Sequence, residues 1–136
     1  MIKQISVFLP NTPGVLAKFT KTLMEKNINM RAMTVAETAD YGILRMVVDQ
    51  TNKAVDILKK ENYLVSLTDV LAVDIPDRPG ALHEIAEILG ENDINIEYIY
   101  SSTVLKEEAI IVLRVDNNDK AIEILESKGI KLVDEM

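Results

Sequence analysis

The chain has 136 residues, of which 48% are hydrophobic and 27% charged, a composition typical of a folded globular protein and not of a disordered one. Its formal net charge of -7 argues against nucleic acid and against an anionic membrane surface as partners. Cysteine is absent, which excludes disulfides, thiolate nucleophiles and thiolate metal sites. No apolar signal-like stretch follows the first residues, and we therefore expect a cytoplasmic protein.

The first predicted elements are a strand and an amphipathic helix. Ile5, Val7 and Leu9 occupy alternate positions, which predicts a half-buried strand. Pro13 and Gly14 then mark the start of a segment with helical spacing. The apolar face predicted for this helix consists of Leu16, Phe19, Thr20 and Leu23.

A hairpin, a second helix and a final strand complete the first half of the chain. Residues 29–35 and 43–48 have the composition of two strands joined by a turn. The second helix turns Ala54, Ile57 and Leu58 inward, and a last strand is predicted near residues 63–68. The order strand, helix, strand, strand, helix, strand is that of a ferredoxin-like unit.

The second half of the chain repeats the first. Pro-Gly-Val-Leu at residues 13–16 returns as Pro-Gly-Ala-Leu at residues 79–82, an offset of 66 that becomes 67 after one inserted residue in the second hairpin. We therefore predict an α+β protein with two ferredoxin-like βαββαβ repeats, residues 1–68 and 69–136. The last predicted strand of the first repeat is separated from the first strand of the second only by about Asp69 and Val70, so the two repeats are expected to pack together.

Both repeats carry apolar residues on the two faces of their returning strands. Helices can cover only one face, and the other presents Ile43 and Val47 in the first repeat and Ile110 and Val112 in the second. Scattered surface apolar residues are one explanation of this pattern. Because both repeats show it, we favour burial of the second face by another subunit, and we expect a homodimer.

A polar residue followed by Pro-Gly stands where each first strand meets its helix. Asn11 or Asp77 can cap the helix, and glycine lets a ligand approach bare backbone N–H groups. An amino-acid carboxylate could bind the N–H groups of Gly80, Ala81 and Leu82, with its ammonium on Asp77. A plain helix cap is the alternative explanation.

These motifs resemble those of the ACT domain over essentially the whole chain. The residues that carry the resemblance are Asp77-Arg78-Pro79-Gly80-Ala81-Leu82 and Ile94-Asn95-Ile96, with the weaker copy Asn11-Thr12-Pro13-Gly14-Val15-Leu16 and Ile28-Asn29-Met30. The resemblance implies two regulatory amino-acid-binding modules packed side by side into one mainly antiparallel sheet with helices on one face. It also implies that the ligand contacts come from the first strand-helix loop and the start of the second strand.

The resemblance transfers to two sets of candidate ligand-binding residues. In the first repeat they are Asn11, Gly14, Val15, Leu16 and Asn29. In the second repeat they are Asp77, Pro79, Gly80, Ala81, Leu82, Asn95 and Ile96. His83, in the first turn of the helix, is a further candidate, although it can equally be a solvated helix residue. Asn11 is neutral where the second repeat has Asp77, so the ligand's ammonium is expected to prefer the Asp77 loop.

The expected function is that of a small-molecule sensor without its own catalysis. We expect a free amino acid as ligand, with an apolar or aromatic side chain favoured by the residues around the motifs, and a readout through a partner or the oligomeric state. The alternative is a regulatory small subunit or structural adaptor of an amino-acid metabolic enzyme, without its own ligand. One histidine and no cluster at metal spacing argue against an enzyme, and no metal or cofactor is expected. An RNA-recognition role is disfavoured because the central strands lack stacking aromatics.

Overall fold

The computed structural model describes residues 1–102 and 108–136 and confirms two successive βαββαβ repeats. The first repeat begins with β1 (Ile2–Pro10), α1 (Val15–Glu25), β2 (Met30–Glu37), β3 (Tyr41–Val48) and α2 (Thr51–Lys60), followed by β4 (Val65–Pro76). The second continues with α3 (Ala81–Glu91), β5 (Ile96–Ser101), β6 (Glu108–Val115), α4 (Asn118–Ser127) and β7 (Lys131–Leu132). The turn predicted between β5 and β6 falls on residues 103–107, outside the described residues. None of the helices described is long and apolar enough to cross a membrane.

Two compact units divide the chain near residue 68. One comprises Lys3–Thr68 with Met136, and the other comprises Asp69–Glu135 with Met1–Ile2. The start of the chain is tied to its own unit by the amino group of Met1, which lies 3.3 Å from Asp134 Oδ1. Strand β4 contributes its first residues to one unit and its later residues to the other.

The first unit has an antiparallel sheet in the order β2-β3-β1, with the first residues of β4 beside β1. Ile5 lies opposite Met46, and the Phe8 N–H donates to the Leu64 carbonyl at 3.3 Å. The rings of Phe19 and Tyr63 meet edge to face at 5.3 Å, between α1 and the residues before β4. The buried core between sheet and helices contains Ile5, Val7, Leu9, Phe19, Leu23, Ile28, Leu44, Met46, Val48, Ala54, Val55 and Leu58.

The second unit repeats this arrangement in the order β5-β6-β4-β7. Val73 lies opposite Ile111 on one side and Leu132 on the other, so β4 is a central strand here. The Val133 N–H extends this pairing by donating to the Ala72 carbonyl at 2.8 Å. The buried core contains Leu71, Val73, Ile75, Ala81, Ile85, Leu89, Ile94, Leu113, Val115, Ala121 and Leu125.

The apolar faces of α1 and α3 begin one residue before the predicted position. Leu16 and Leu82 were expected inside, but their side chains are 44% and 47% exposed. Each helix begins directly after its glycine, and in α3 the core positions are Ala81, Ile85 and Leu89, a spacing of four. The prediction was therefore wrong for the two leucines, which lie on the surface beside the strand-helix loops.

A bulge in β5 separates residues that the alternation rule puts on one face. Strict alternation along residues 95–101 predicts that Ile96, Tyr98 and Tyr100 share a face, but the register shifts between Ile96 and Tyr98. Ile96 packs against the helix-covered core, whereas Tyr98 and Tyr100 lie opposite Arg114 and Val112 on the other face. The expectation that Ile96 groups with the two tyrosines was therefore wrong.

The prediction that another subunit buries the second sheet face was wrong for two residues. Val47 is 4% and Val112 0% exposed in the single chain, so neither needs a partner for burial. The large exposed side chains of that face are Phe8 and Tyr41, whose rings meet edge to face at 5.9 Å. The apolar row is therefore no evidence for a homodimer.

Candidate functional site

The strand-helix loops end on a glycine that is itself the helix N-cap. Gly14 has a φ of 85° and Gly80 a φ of 87°, and neither helix receives a side-chain cap. The expectation that Asn11 or Asp77 caps its helix was therefore wrong. A left-handed residue at this point favours glycine for backbone reasons alone, because any Cβ is disfavoured at such a φ. The polar residue of each motif is thereby free of a capping role.

Gly14→Ala is expected to lower the free energy of unfolding by about 1 kcal/mol, because alanine in the left-handed region is strained. No heavy atom lies within 4 Å of the Cβ that would be added, so the cost is one of backbone strain and not of collision. Gly90→Ala is the matched control: Gly90 lies within α3 with equally open space, and alanine there should raise stability by about 0.5 to 1 kcal/mol. Urea unfolding measures the stability of both variants. Equal changes of the same sign would contradict the left-handed conformation assigned to Gly14.

The loop already uses one of the amides expected to face a ligand. The Ala81 N–H donates to the Arg78 carbonyl at 3.3 Å, and the first repeat has the same turn between Val15 and Thr12 at 3.4 Å. Leu82 lies in the first turn of α3, where amides have no acceptor within the helix. The amides that the turn leaves available to an anion are therefore those that follow the first helical residue.

A cavity of about 230 Å³ opens at the first loop, on the helix side of the sheet. It brings together three of the predicted residues, Asn11, Val15 and Leu16. The exposed side chain of Leu16 forms part of the cavity wall. The lining residues are Leu9, Pro10, Asn11, Thr12, Val15, Leu16, Val35, Glu37 and Gly42. A mostly apolar wall with a few polar groups at one end is the usual design of a small-molecule site, and this volume is below the roughly 300 Å³ at which drug-sized pockets begin.

Asn11 is fixed to the neighbouring hairpin by its backbone and by one side-chain atom. Its N–H donates to the Asp40 carbonyl and its Nδ2 to the Thr38 carbonyl, both at 3.1 Å. The hairpin itself is closed by the Thr38 N–H, which donates to the Tyr41 carbonyl at 2.7 Å. The side-chain bond uses one of the two Nδ2 hydrogens of Asn11 and orients its amide, whose Oδ1 atom can accept from a ligand.

Glu37 is a site residue that sequence reasoning missed. It is the last residue of β2, and it lines the cavity together with Asn11. The family motif points to the start of the second strand and not to its end, and the strand predicted over residues 29–35 stops two residues short of Glu37. The negative charge that Asn11 lacks is thus supplied by another strand, which weakens the argument that only the Asp77 loop offers a carboxylate.

Asn29 and Asn95 lie at the other end of their units. Asn29 precedes β2, whose eight residues rise about 25 Å before Glu37 reaches the cavity. Its N–H donates to Asp49 Oδ1 at 3.0 Å, and the Asn95 N–H donates to Asp116 Oδ1 at 3.1 Å. Asn29 lines a separate cavity of about 440 Å³ at the C-terminal end of α1. Within one unit, therefore, the start of the second strand and the loop do not form one site.

The second loop carries an ion pair that its counterpart lacks. Arg78 lies 3.1 Å from Glu84 and its Nη1 donates to the Pro79 carbonyl at 3.4 Å, whereas the first loop has Thr12 at this position. His83 is exposed and lies 3.1 Å from Glu87. Of the remaining predicted residues, Ala81 is buried, and Asp77, Pro79, Gly80 and Leu82 are exposed. The wall that would correspond to Glu37 falls on residues 103–107, outside the described residues.

The geometry of the first loop suits a zwitterion. A carboxylate from Glu37 and the Asn11 oxygen can accept from an ammonium, while the amides of the first turn of α1 can donate to a carboxylate. Leu16 and Val35 supply an apolar wall for a side chain. Within residues 1–102 and 108–136, no three histidine or acidic side chains lie close enough together to bind a metal ion.

Comparison with known protein families supports the same kind of module. The family model for the ACT domain pair matches residues 1–136. The acetolactate synthase small subunit of Aquifex aeolicus (strain VF5) is 33% identical over 85 residues. Those residues are 62% of this chain and 44% of that protein, so the match spans less than half of the curated relative.

Solved structures show the same fold over nearly the whole chain. A protein from Bacteroides thetaiotaomicron superposes with a TM-score of 0.92 at 40% identity, covering 97% of this chain and 91% of the other. The ligand-free regulatory subunit of aspartate kinase from Thermus thermophilus superposes with a TM-score of 0.69 at 18% identity, covering 92% and 91%. The second likeness shows the fold alone.

Proposed function

The chain belongs to the ACT domain pair family, and from this premise we propose that it binds a free amino acid and regulates a partner without catalysing a reaction itself. The observation that carries the proposal is the cavity at the first loop, where a carboxylate, an amide oxygen and a helix start meet an apolar wall. An amino acid is the small molecule that needs all three at once.

The proposed pose follows from the charges around the cavity. The ammonium lies between Glu37 and Asn11 Oδ1, and the carboxylate accepts from the first-turn amides of α1. The side chain points toward Leu9, Leu16 and Val35, which favours an apolar or aromatic amino acid over an acidic one. We propose a similar pose at the second loop, where Asp77, the counterpart of Asn11, supplies the carboxylate for the ammonium, with Pro79, Gly80, Leu82 and His83 around it.

The proposed readout passes through another protein. The relatives that support it are named as the small subunit of acetolactate synthase and the regulatory subunit of aspartate kinase. We propose a cytoplasmic enzyme of amino-acid metabolism as the partner and a homodimer as the state of the chain itself. A structural adaptor without its own ligand remains the alternative, and it predicts an unchanged protein in any amino acid.

A thermal-shift screen across the twenty amino acids tests this proposal. A sensor must respond near cellular amino-acid concentrations, so we expect a Kd on the order of 10 μM to 1 mM. Ligand at 100 times its Kd stabilises the native state by about 2.7 kcal/mol, which corresponds to a melting shift on the order of 5 to 10 °C. Apolar or aromatic amino acids should give the largest shifts. A flat response across all twenty at 10 mM would favour the adaptor.

A further inference from the structure

The two repeats carry opposite net charges, although the chain as a whole is acidic. Residues 1–68 contain nine lysines and arginines against six acidic residues, whereas residues 69–136 contain six against sixteen. The first repeat therefore has a net charge of +3 and the second of -10. Aligned positions show the change directly, because Lys18 and Lys21 on α1 correspond to Glu84 and Glu87 on α3.

The helix side of the first unit has a groove with three lysines and two acidic residues among its six lining residues, and we call it the basic groove. It lies between the end of α1 and α2, with a volume of about 620 Å³. Its lining residues are Lys26, Lys53, Asp56, Ile57, Lys60 and Glu61. Lys53 donates from Nζ to the Lys26 carbonyl at 2.9 Å, which holds one ammonium across the groove. Ile57 is half-buried and forms an apolar floor.

The helix side of the second unit has a groove with three glutamates and one lysine among its six lining residues, and we call it the acidic groove. It lies between α3 and the end of α4, with a volume of about 310 Å³. Its lining residues are Glu84, Glu87, Ile88, Glu91, Lys128 and Ile130. Glu84 and Glu87 keep 56% and 53% of their side-chain surface exposed even though each pairs with a neighbour. Ile88 and Ile130 are half-buried, as Ile57 is in the basic groove.

We propose that the basic groove of the first unit docks onto the acidic groove of the second unit of another copy of this chain. The basic groove also contains two acidic residues and the acidic groove one lysine. These too can pair across the contact, with Lys128 facing Asp56 or Glu61. The half-buried isoleucines give both surfaces an apolar centre within a charged rim, the usual anatomy of an interface. One chain holds both complementary surfaces, so the contact can join two copies of this chain.

A second copy is favoured over a different partner because the complementarity is internal to this sequence. Two basic grooves or two acidic grooves repel each other. A basic groove attracts only an acidic one. The contact thus fixes which repeats meet. It is independent of amino-acid binding, because the residues of the two grooves are distinct from those of the first-loop cavity.

Two neighbouring lysines provide a matched test. Lys60 lines the basic groove, whereas Lys59, equally exposed in the last turn of α2, does not. Lys60→Glu should weaken self-association of the full chain about tenfold at 50 mM salt, because it replaces an attractive charge at the contact by a repulsive one. Lys59→Glu makes the same charge change and should alter the dissociation constant less than about twofold. Sedimentation velocity over a concentration series measures both, and far-UV circular dichroism confirms that both fold.

Charge exchange completes the test. Glu87→Lys alone should weaken association as Lys60→Glu does, and the double variant should recover to within about threefold of the original chain. A chain that stays monomeric at 100 μM and low salt overturns the proposal. Equal effects of Lys59→Glu and Lys60→Glu on the dissociation constant also overturn it. So does a double variant that associates no more tightly than the two single variants, since either result places the contact elsewhere.

Discussion

Glu37→Gln is expected to weaken amino-acid binding about 30-fold, which corresponds to roughly 2 kcal/mol. The substitution keeps the shape of the side chain and removes the negative charge that lines the first-loop cavity. A bound ammonium would then lose its charged partner and keep only the Asn11 oxygen. The loss stands at the low end of the range for such pairs because Glu37 is exposed without ligand. Calorimetric titration with the best amino acid measures it.

Asp40→Asn is the matched control for this prediction. Asp40 loses the same charge three residues away, but its side chain does not line the cavity, and only its backbone carbonyl binds Asn11. Its effect on Kd should be less than about twofold. Equal losses for the two variants would show that Glu37 acts by general electrostatics, and would remove it from the proposed site.

Asp77→Ala is expected to cost about 2 to 5 kcal/mol of binding at the second loop, because it removes one half of a charge pair that the ligand desolvates. Asn11→Ala at the first loop should cost about 0.5 to 1.5 kcal/mol, the value of an ordinary hydrogen bond. Asn11 also holds the hairpin through the Thr38 carbonyl, so part of its loss is structural. Titration of each variant with the same amino acid gives the two values.

Melting curves separate binding from folding in this comparison. Neither Asn11 nor Asp77 caps its helix, so Asp77→Ala should leave the melting temperature of the free protein nearly unchanged. A binding loss at Asp77 that is matched by a drop in stability would make its role structural. Equal binding losses for Asp77→Ala and Asn11→Ala would contradict the assignment of an ammonium to the second loop.

The sequence was sufficient for the parts of the fold that depend on local periodicity. The alternation of Ile5, Val7 and Leu9 and the helical positions Phe19 and Leu23 all lie in the buried core as predicted. The repeat then supported each of these predictions a second time, because the same pattern of apolar residues recurs 66 residues later. Strand and helix order followed from these patterns alone.

Features that depend on exact backbone geometry escaped the sequence. Both helices begin directly after a glycine N-cap, and their apolar faces begin one residue earlier than predicted. Leu16 and Leu82 are therefore exposed. A bulge reversed the face of Tyr98 relative to Ile96, which strict alternation cannot represent. Hydrophobic periodicity predicts neither the φ of a glycine nor an extra residue in one strand.

The candidate site was half predictable for a related reason. Asn11, Val15 and Leu16 are near neighbours in sequence, so one motif found them. Glu37 reaches the same cavity only through the pairing of β2 with β3, and Asn29 is removed from it by the length of β2. Burial of Val47 and Val112 within one chain likewise depends on tertiary packing and not on their own pattern.

Calorimetric titration of the full chain with apolar and aromatic amino acids tests the central claim most directly. We predict saturable binding of at least one of them with a Kd on the order of 10 μM to 1 mM, and a loss of about 30-fold for Glu37→Gln in the same experiment. No heat of binding from any amino acid at several millimolar, together with unchanged melting curves, would contradict the claim that this protein is an amino-acid sensor.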